Sequence, residues 1–426
     1  MMSRFEKLVT FGSLVLLLML AAFVSGFAHR HFHVWPTYGL IALDHQLQSY
    51  LRYGEWGRSG LFVTSDVSAD DPRAEILRLT EFLPGYRAIM AFDPDLDIYS
   101  VRLLDAEAQH VHTWPTDYKT LRPDHAVPAG INPHGMEILR DGSIVVNFGD
   151  EGQLMTRLDP CGTPLWQRTE GRYHHSVHLG DDNMLWTWFS PNDKDRQFES
   201  IVAVDAYTGN VLRKISIEEV AAASIENAVK LAIPDGFVFQ AAGNMPRGVI
   251  SDIFHPNDVE PLTADLAPAF PQFEQGDLLI SLRDLNYVAV LDPDTVVLKW
   301  GAHGPWIRQH DPDFTPEGRI DVYNNNTGRG RSGILSIDPA SGAVTRLFDT
   351  DGSRFYTGPQ GKQQRLPNGN YLITVPEEGR VIELNREGAL VFDYNNIADE
   401  GVNGRIFNAF WVPPDFFAQA PSCAAR

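Results

Sequence analysis

The feature that most limits this chain is a unit of four short apolar runs, separated by turns, that recurs along its length. The third run ends in an acidic or amide residue followed by a turn, as at Asp105, Asp159, Asp205, Asp338 and Asn385. The first two runs recur as Gly135–Val146 and Gln364–Ile373, each folded about a glycine, Gly142 or Gly369. The copies centre near 84–114, 135–167, 174–214, 236–300, 310–348 and 364–394. A four-stranded repeat of this period buries its faces only against its neighbours, which predicts an all-β, six-bladed β-propeller over 84–426, including a C-terminal tail packed on it. The ring is expected to close by pairing the N- and C-terminal parts of the propeller. Abundant Gly (35) and Pro (28) suit its tight turns.

Short helical insertions are expected at Leu40–Tyr53, Glu75–Phe82 and Ile215–Leu231, and a Pro/Ala-rich insertion at Glu260–Phe273. Residues 1–28 read as a signal anchor or signal peptide, because a cationic start, Arg4 and Lys7, precedes an uncharged run from Leu8 to Ala28. The anchor is the preferred reading, since about 20 apolar residues suffice to span a bilayer. This gives an N-terminal transmembrane helix as the membrane contact. The propeller is then exported to the periplasm or cell exterior, held at the inner membrane by a stem over 29–83. The net charge of −20 argues against nucleic acid as a partner. The two cysteines, Cys161 and Cys423, leave open a single bridge or two free thiols.

The repeat register aligns polar side chains. His134 and His310 lie eight residues before Gly142 and Gly318, and His175 lies eight before Asn183, which stands in the glycine's place. Three histidines therefore share the start of the innermost strand in three blades. His255 is expected in the same ring. Arg283 and Asn325, each seven residues after Gly276 or Gly318, are expected at the end of the second strand, level with the histidines. Imidazoles with one guanidinium can hold and attack a small oxyanion. Three imidazoles can also bind zinc or copper, but a guanidinium beside them disfavours a dication, so no metal is assigned. Asp93, Asp95 and Asp97 lack the glycine and distal glutamate of a calcium loop and read as a solvated turn.

Together, His255–Glu260, Gly276–Arg283 and Gln309–Asp311 resemble segments of the arylsulfotransferase family of bacterial exported six-bladed propellers. Pro84–Trp114 resembles the family's opening blade, and the likeness covers about residues 84 to 395. The resemblance implies a nucleotide-independent sulfotransferase that needs no cofactor. It moves a sulfuryl group from an aryl sulfate to a phenol. Carried over, His310 is the nucleophile, His255 and Arg283 bind the sulfuryl and bridging oxygens, and His175, or else His134, completes the set. Asn257 and Asn325 are candidate substrate contacts, and Asp311 is a candidate orienting group for His310. The competing class is a non-catalytic, membrane-anchored propeller that binds a ligand or partner. A metal-dependent oxidoreductase is a third.

Overall fold

The computed structural model describes residues 12–13, 15–25, 60–125, 131–149, 152–191, 200–224, 254–348 and 355–423. The propeller lies in the compact unit formed by 60–237 and 253–426. Blades 2 to 6 each contain four antiparallel strands that run in sequence order outward. From the inside, blade 2 is Pro133–Ile138, Ile144–Phe148, Leu154–Leu158 and Pro164–Arg168; blade 3 is Gly171–Leu179, Met184–Pro191, Ser200–Asp205 and Val211–Ser216. Blade 4 is Pro256–Pro261, Leu278–Leu282, Tyr287–Asp292 and Val297–His303; blade 5 is His310–Phe314, Ile320–Asn324, Gly333–Ile337 and Val344–Leu347. Blade 6 is Lys362–Arg365, Tyr371–Val375, Arg380–Leu384 and Leu390–Asn395.

Blade 1 closes the ring. Its inner strand, Ile406–Val412, comes from the C-terminal end and pairs with Tyr86–Asp93, which is followed by Ile98–Leu104 and His110–Pro115. Each inner strand touches the next, and Ile406–Val412 touches both Lys362–Arg365 and Pro133–Ile138, so the cycle has no open side.

Burial explains the pattern of the repeat. The second and third strands are sandwiched between neighbouring blades and are buried throughout, as in Leu278–Leu282 and Leu154–Leu158. They therefore read as unbroken apolar runs. The outermost strands, such as Pro164–Arg168 and Val344–Leu347, are largely exposed and read as mixed. The residue ending the third strand caps the turn: Asp159 Oδ1 accepts from the N–H groups of Cys161 and Thr163, and Asp205 Oδ1 from Tyr207 and Thr208. Asn385 does the same for Glu387 and Ala389, so an acceptor oxygen, not charge, is what the position needs. Tryptophans join blades: the indole N–H of Trp114 donates to Gly142 O in blade 2, and that of Trp188 to Asp258 O in blade 4.

Several expectations are corrected. Glu75–Phe82 is not a helix. Ala74–Ile76 is a fifth, outer strand on blade 6, pairing with Leu390–Asn395, and the rest turns back, with Leu79 exposed. The apolar spacing there serves a strand edge and a loop rather than one helical face. The helix expected from Ile215 begins at Ile217, after a capping box of Ser216 and Glu219, and runs to Ala223. Residues from 225 to 253 lie outside the described set, as do Leu40–Tyr53 and His29, His31 and His33. Glu260 and Pro261 belong to the inner strand of blade 4, so the insertion starts at Leu262; its one helical segment is the short 3-10 turn Ala267–Ala269. Asp93 is no solvated turn: it is buried and takes two hydrogen bonds from Arg102, while Asp95 pairs with Arg73 and Arg102.

Among the described residues, no helix is long and apolar enough to cross a membrane. Within the expected span of 8–28, the described helical positions are 12–13 and 15–25. The transmembrane helix is therefore not supported. A further three-stranded sheet, Phe62–Thr64, Val402–Gly404 and Ile397–Asp399, lies beside the closure.

The C-terminal tail packs on the propeller. Phe417 meets Tyr86, Ala418 N–H donates to Arg140 O, and Cys423 is disulfide-bonded to Cys161 at the third-strand turn of blade 2. This cross-link closes a loop of 262 residues. Such a loop carries an entropic stabilisation of about 5 kcal/mol at most. Cys161→Ser is expected to lower the melting temperature by on the order of 5–10 °C. Unchanged melting, with and without reductant, would show that the bridge does not stabilise the ring.

Candidate active site

The polar centre is built by breaks in the inner strands. Pairing to the second strand shifts between Pro133 and Gly135, His174 and Val177, Pro256 and Asp258, and His310 and Pro312. Extra residues at such bulges re-aim side chains. The turn hydrogen bonds confirm the register: Gly142, Asn183 and Gly318 each donate to the residue three before, Leu139, Gly180 or Thr315. Asn183 has φ 61°, so it does occupy the glycine's left-handed position. Counting back from these turns puts His134, His175 and His310 at one level.

In blade 4 the same count, made from Leu262, arrives at Asn257 and not at His255. His255 stands two residues earlier, ahead of the strand, with φ 42°. It reaches the cluster by this turn: its ring centroid is 5.0 Å from that of His175. His175, itself at φ 59°, also lies 5.2 Å from His134 and 5.0 Å from His174. Both alternatives, His134 and His175, thus belong to the cluster, and His175 is its hub. His174 went unseen in the sequence. Its Nδ1 is 2.8 Å from that of His175, and its Nε2 is 3.3 Å from Ser190 Oγ. The only signal was the pair of adjacent histidines, which strand alternation would have placed on opposite faces. The bulge overrides that alternation. Burial, then the neighbouring imidazoles, hold His175 well below the usual range, so it is neutral.

Arg283 is the first residue beyond its strand, at the start of a turn over Arg283–Leu285. Its backbone N–H donates to His255 O, and Asp284 N–H to Phe254 O, which locks the His255 turn against blade 4. The Arg283 guanidinium donates from Nε to Asp284 Oδ1 at 2.8 Å, and Arg308 reaches the same oxygen at 3.1 Å. Arg308 was another residue that sequence reasoning passed over.

The Gln309–Asp311 segment is pinned on both sides. Gln309, fully buried, donates from Nε2 to Ser281 Oγ and to the carbonyls of Leu282 and Tyr287 in blade 4. Asn257 Nδ2 donates to Gln309 O at 2.8 Å, so this amide holds the backbone beside His310. Asp311, at φ 46°, turns to blade 6, where it pairs with Lys362 and accepts from Gln363 N–H at 2.5 Å. It does not contact His310. The partner of His310 is Asn325, whose Oδ1 lies 2.6 Å from His310 Nδ1. Burial, opposed by this bond and reinforced by the positive charge of Arg283, pushes His310 down to about 3. At neutral pH it is an uncharged imidazole.

Beneath lies a layer of different character. His178 is 3.1 Å from Asp258, and Lys362 bridges Asp258 and Asp311. Burial opposes these charges, yet Asp258 raises His178 to about 9, while Lys362 and His178 hold Asp258 down to about 2. Burial and the nearby Asp258 carry Glu260 up to about 8. This layer borders a cavity of about 380 Å³ lined by His178, Glu260, Asp311, Asp313, Lys362 and Trp411, which His310 and Arg283 do not line. His178, Asp258 and Asp311 come close enough to share a cation, and so do Glu274, Asp277 and Asp292. In each set a lysine, Lys362 or Lys299, already sits among the carboxylates.

The arrangement brings a neutral imidazole, fixed at Nδ1, together with a guanidinium and further imidazoles. Solved structures with similar folds have little sequence in common with the chain. A Bacteroides caccae protein of unknown function is 12% identical, with a TM-score of 0.48, covering 76% of this chain and 99% of its own. Hydrazine synthase of Kuenenia stuttgartiensis is 15% identical, with a TM-score of 0.42, covering 68% and 71%. A catalytically inactive virginiamycin B lyase from Staphylococcus aureus with quinupristin is 12% identical, with a TM-score of 0.36, covering 61% and 69%. No curated protein matches the chain. The profile of the Arylsulfotransferase (ASST) family matches residues 104–397, a span that holds every residue of the histidine cluster, Arg283 and Asn325, and the chain belongs to that family.

Proposed function

We propose that the protein moves a sulfuryl group from an aryl sulfate to a phenol by way of a sulfo-histidine at His310. The observation that carries this reading is the state of His310: buried, uncharged, tethered at one ring nitrogen and set among Arg283, His255 and His175. A neutral imidazole attacks without first losing a proton. Sulfuryl transfer, like phosphoryl transfer, gathers charge on peripheral oxygens, so fixed donors do most of the work. Arg283 supplies permanent positive charge. His255 donates to the sulfuryl or the bridging oxygen. His175, held neutral, donates a ring N–H rather than a free proton. The Asp284 carboxylate, shared by Arg283 and Arg308, holds the guanidinium in place. We also place the propeller outside the cytoplasm, a reading supported by the Cys161–Cys423 disulfide, since such bridges persist in oxidising compartments.

His310→Ala is expected to abolish turnover. Mass spectrometry after incubation with an aryl sulfate and no acceptor should find one sulfuryl group on the His310 peptide of the unaltered protein. Transfer at full rate by His310→Ala, or an adduct on His134 or His175, would overturn the assignment. No adduct and no transfer with any phenolic donor would favour a binding module.

Arg283→Ala should leave the nucleophile intact and cost about 10²–10³ in kcat, the loss typical of one oxyanion donor. A change confined to KM would place the guanidinium in ground-state binding alone.

The pH profile gives an independent check. With His310 at about 3, its lone pair is available throughout the neutral range. Donor kcat/KM should show no loss on acidification from pH 7 to pH 5. An acid limb centred near the ordinary histidine pKa of about 6.5 would mean that the nucleophile itself titrates there.

A further inference from the structure

The tether of His310 does more than hold a ring. Its Nδ1 faces two oxygens, Asn325 Oδ1 at 2.6 Å and the Arg308 carbonyl at 3.2 Å. The orientation of the Asn325 amide is settled by its other end, because Nδ2 donates to the carbonyls of Thr357, at 3.1 Å, and Gln360. Ser332 Oγ adds a clamp by donating to Asn325 O at 3.0 Å. Asn325 is fully buried, so no water competes for the amide. Both oxygens at Nδ1 can only accept. Nδ1 must carry the proton, and the lone pair must lie on Nε2.

We propose that Asn325 is a positioning residue that sets the His310 tautomer and keeps the proton on Nδ1 throughout the transfer cycle. Its catalytic consequence rests on the sulfo-histidine reading; the tautomer rests on geometry alone. In the first step the Nε2 lone pair forms the N–S bond as the S–O bond to the aryl group breaks, and that electron pair leaves on the phenolate oxygen. The ring becomes an N-sulfonated imidazolium with its proton still on Nδ1. That proton is now more acidic. A carboxamide accepts the hydrogen bond but is too weak a base to remove the proton. The adduct therefore stays cationic, and a cationic ring is the better leaving group when the acceptor oxygen attacks sulfur.

A carboxylate at this place would act differently in two ways. It would raise the pKa of free His310, by one to three units for a close opposite charge, about tenfold in equilibrium per unit. It would also take the proton from the adduct and leave a neutral sulfonated imidazole, a slower donor to the acceptor. The neutral amide thus separates this histidine from those held by an aspartate, where the partner stabilises a protonated ring.

The test is Asn325→Asp in the full chain, with rapid-quench measurement of adduct formation and discharge. The adduct should still form at pH 7.5, and its discharge to a phenol should slow by about tenfold or more, with donor KM little changed. Donor kcat/KM should gain an acid limb that the unaltered protein lacks. Normal discharge with an unchanged pH profile would overturn the proposal. A second measurement needs no variant: nitrogen-resolved NMR of ¹⁵N-histidine-labelled protein, with His310→Ala used to assign the signal. The His310 signals should show a protonated Nδ1 and a bare Nε2 from pH 7.5 to pH 5. An Nε2–H tautomer, or titration near 6.5, would overturn it. If the NMR holds but no adduct ever forms, the sulfotransfer reading fails and the positioning role stands.

Discussion

Closure of the ring is the interaction on which the rest depends. Ile406–Val412 hydrogen-bonds to Tyr86–Asp93, so blade 1 has no inner strand until the end of the chain returns to supply one. Until then the inner strands of blades 2 and 6 each lack a neighbour. The burial of every middle strand assumes a blade on both faces, so the closure is worth much more than its own backbone hydrogen bonds. The same constraint explains the tail. Cys423 lies shortly beyond the closing strand and is tied to blade 2, across the seam rather than within one blade. Arg87 and Glu383 form a fully buried ion pair between blades 1 and 6, with Arg87 packed on the Phe82 ring. A buried pair of this kind adds little net stability, but it penalises any packing that would separate its partners.

The closed ring fixes a height scale, and the bulges use it. A regular inner strand would send alternate side chains to opposite faces and bring fewer of them to the axis. Bulges at His134, His175, Asn257 and Asp311 break that rule at similar heights. The Gln309–Asp311 segment shows how a tripeptide is used: Gln309 is anchored to blade 4, Asp311 to blade 6, and His310 is left between two fixed points. Much of the polar content is therefore scaffolding for one imidazole.

The propeller could be read in the sequence because its repeat is local. Asp159, Asp205 and Asn385 cap their own turns, and Gly142, Asn183 and Gly318 mark their own hairpins, so spacing alone carries the register. That register brought His134, His175 and His310 to one level. It misjudged His255, which enters from a turn ahead of the strand, where a long insertion had disturbed the count. Long-range partners stayed hidden. Nothing near Ala74 signals that it will pair with Tyr394, and nothing near Asp311 signals Lys362. Adjacency suggested that Asp311 serves His310. Here the bulge turns Asp311 towards Lys362 in blade 6, and the residue that bonds His310 is Asn325, one hairpin away.

Two polar layers of unlike composition follow from these placements. The upper layer holds the histidine cluster and the guanidinium of Arg283. The lower one holds Asp258, Asp311, Asp313, Glu260 and Glu137, with Lys362 and His178 as their cations. Burial and neighbouring carboxylates drive Asp313 well above the usual carboxylate range and keep Glu260 protonated to about pH 8, so these two acids resist ionising there. A sulfate monoester entering among these groups would meet carboxylates whose lysine is already committed. Moving an anion from the level of Arg283 into the lower layer would thus set it beside acids in place of a guanidinium, an unfavourable step in a medium of low dielectric constant. On the proposed sulfuryl-transfer reading, this difference favours an oxyanion at the level of Arg283 and the histidine cluster.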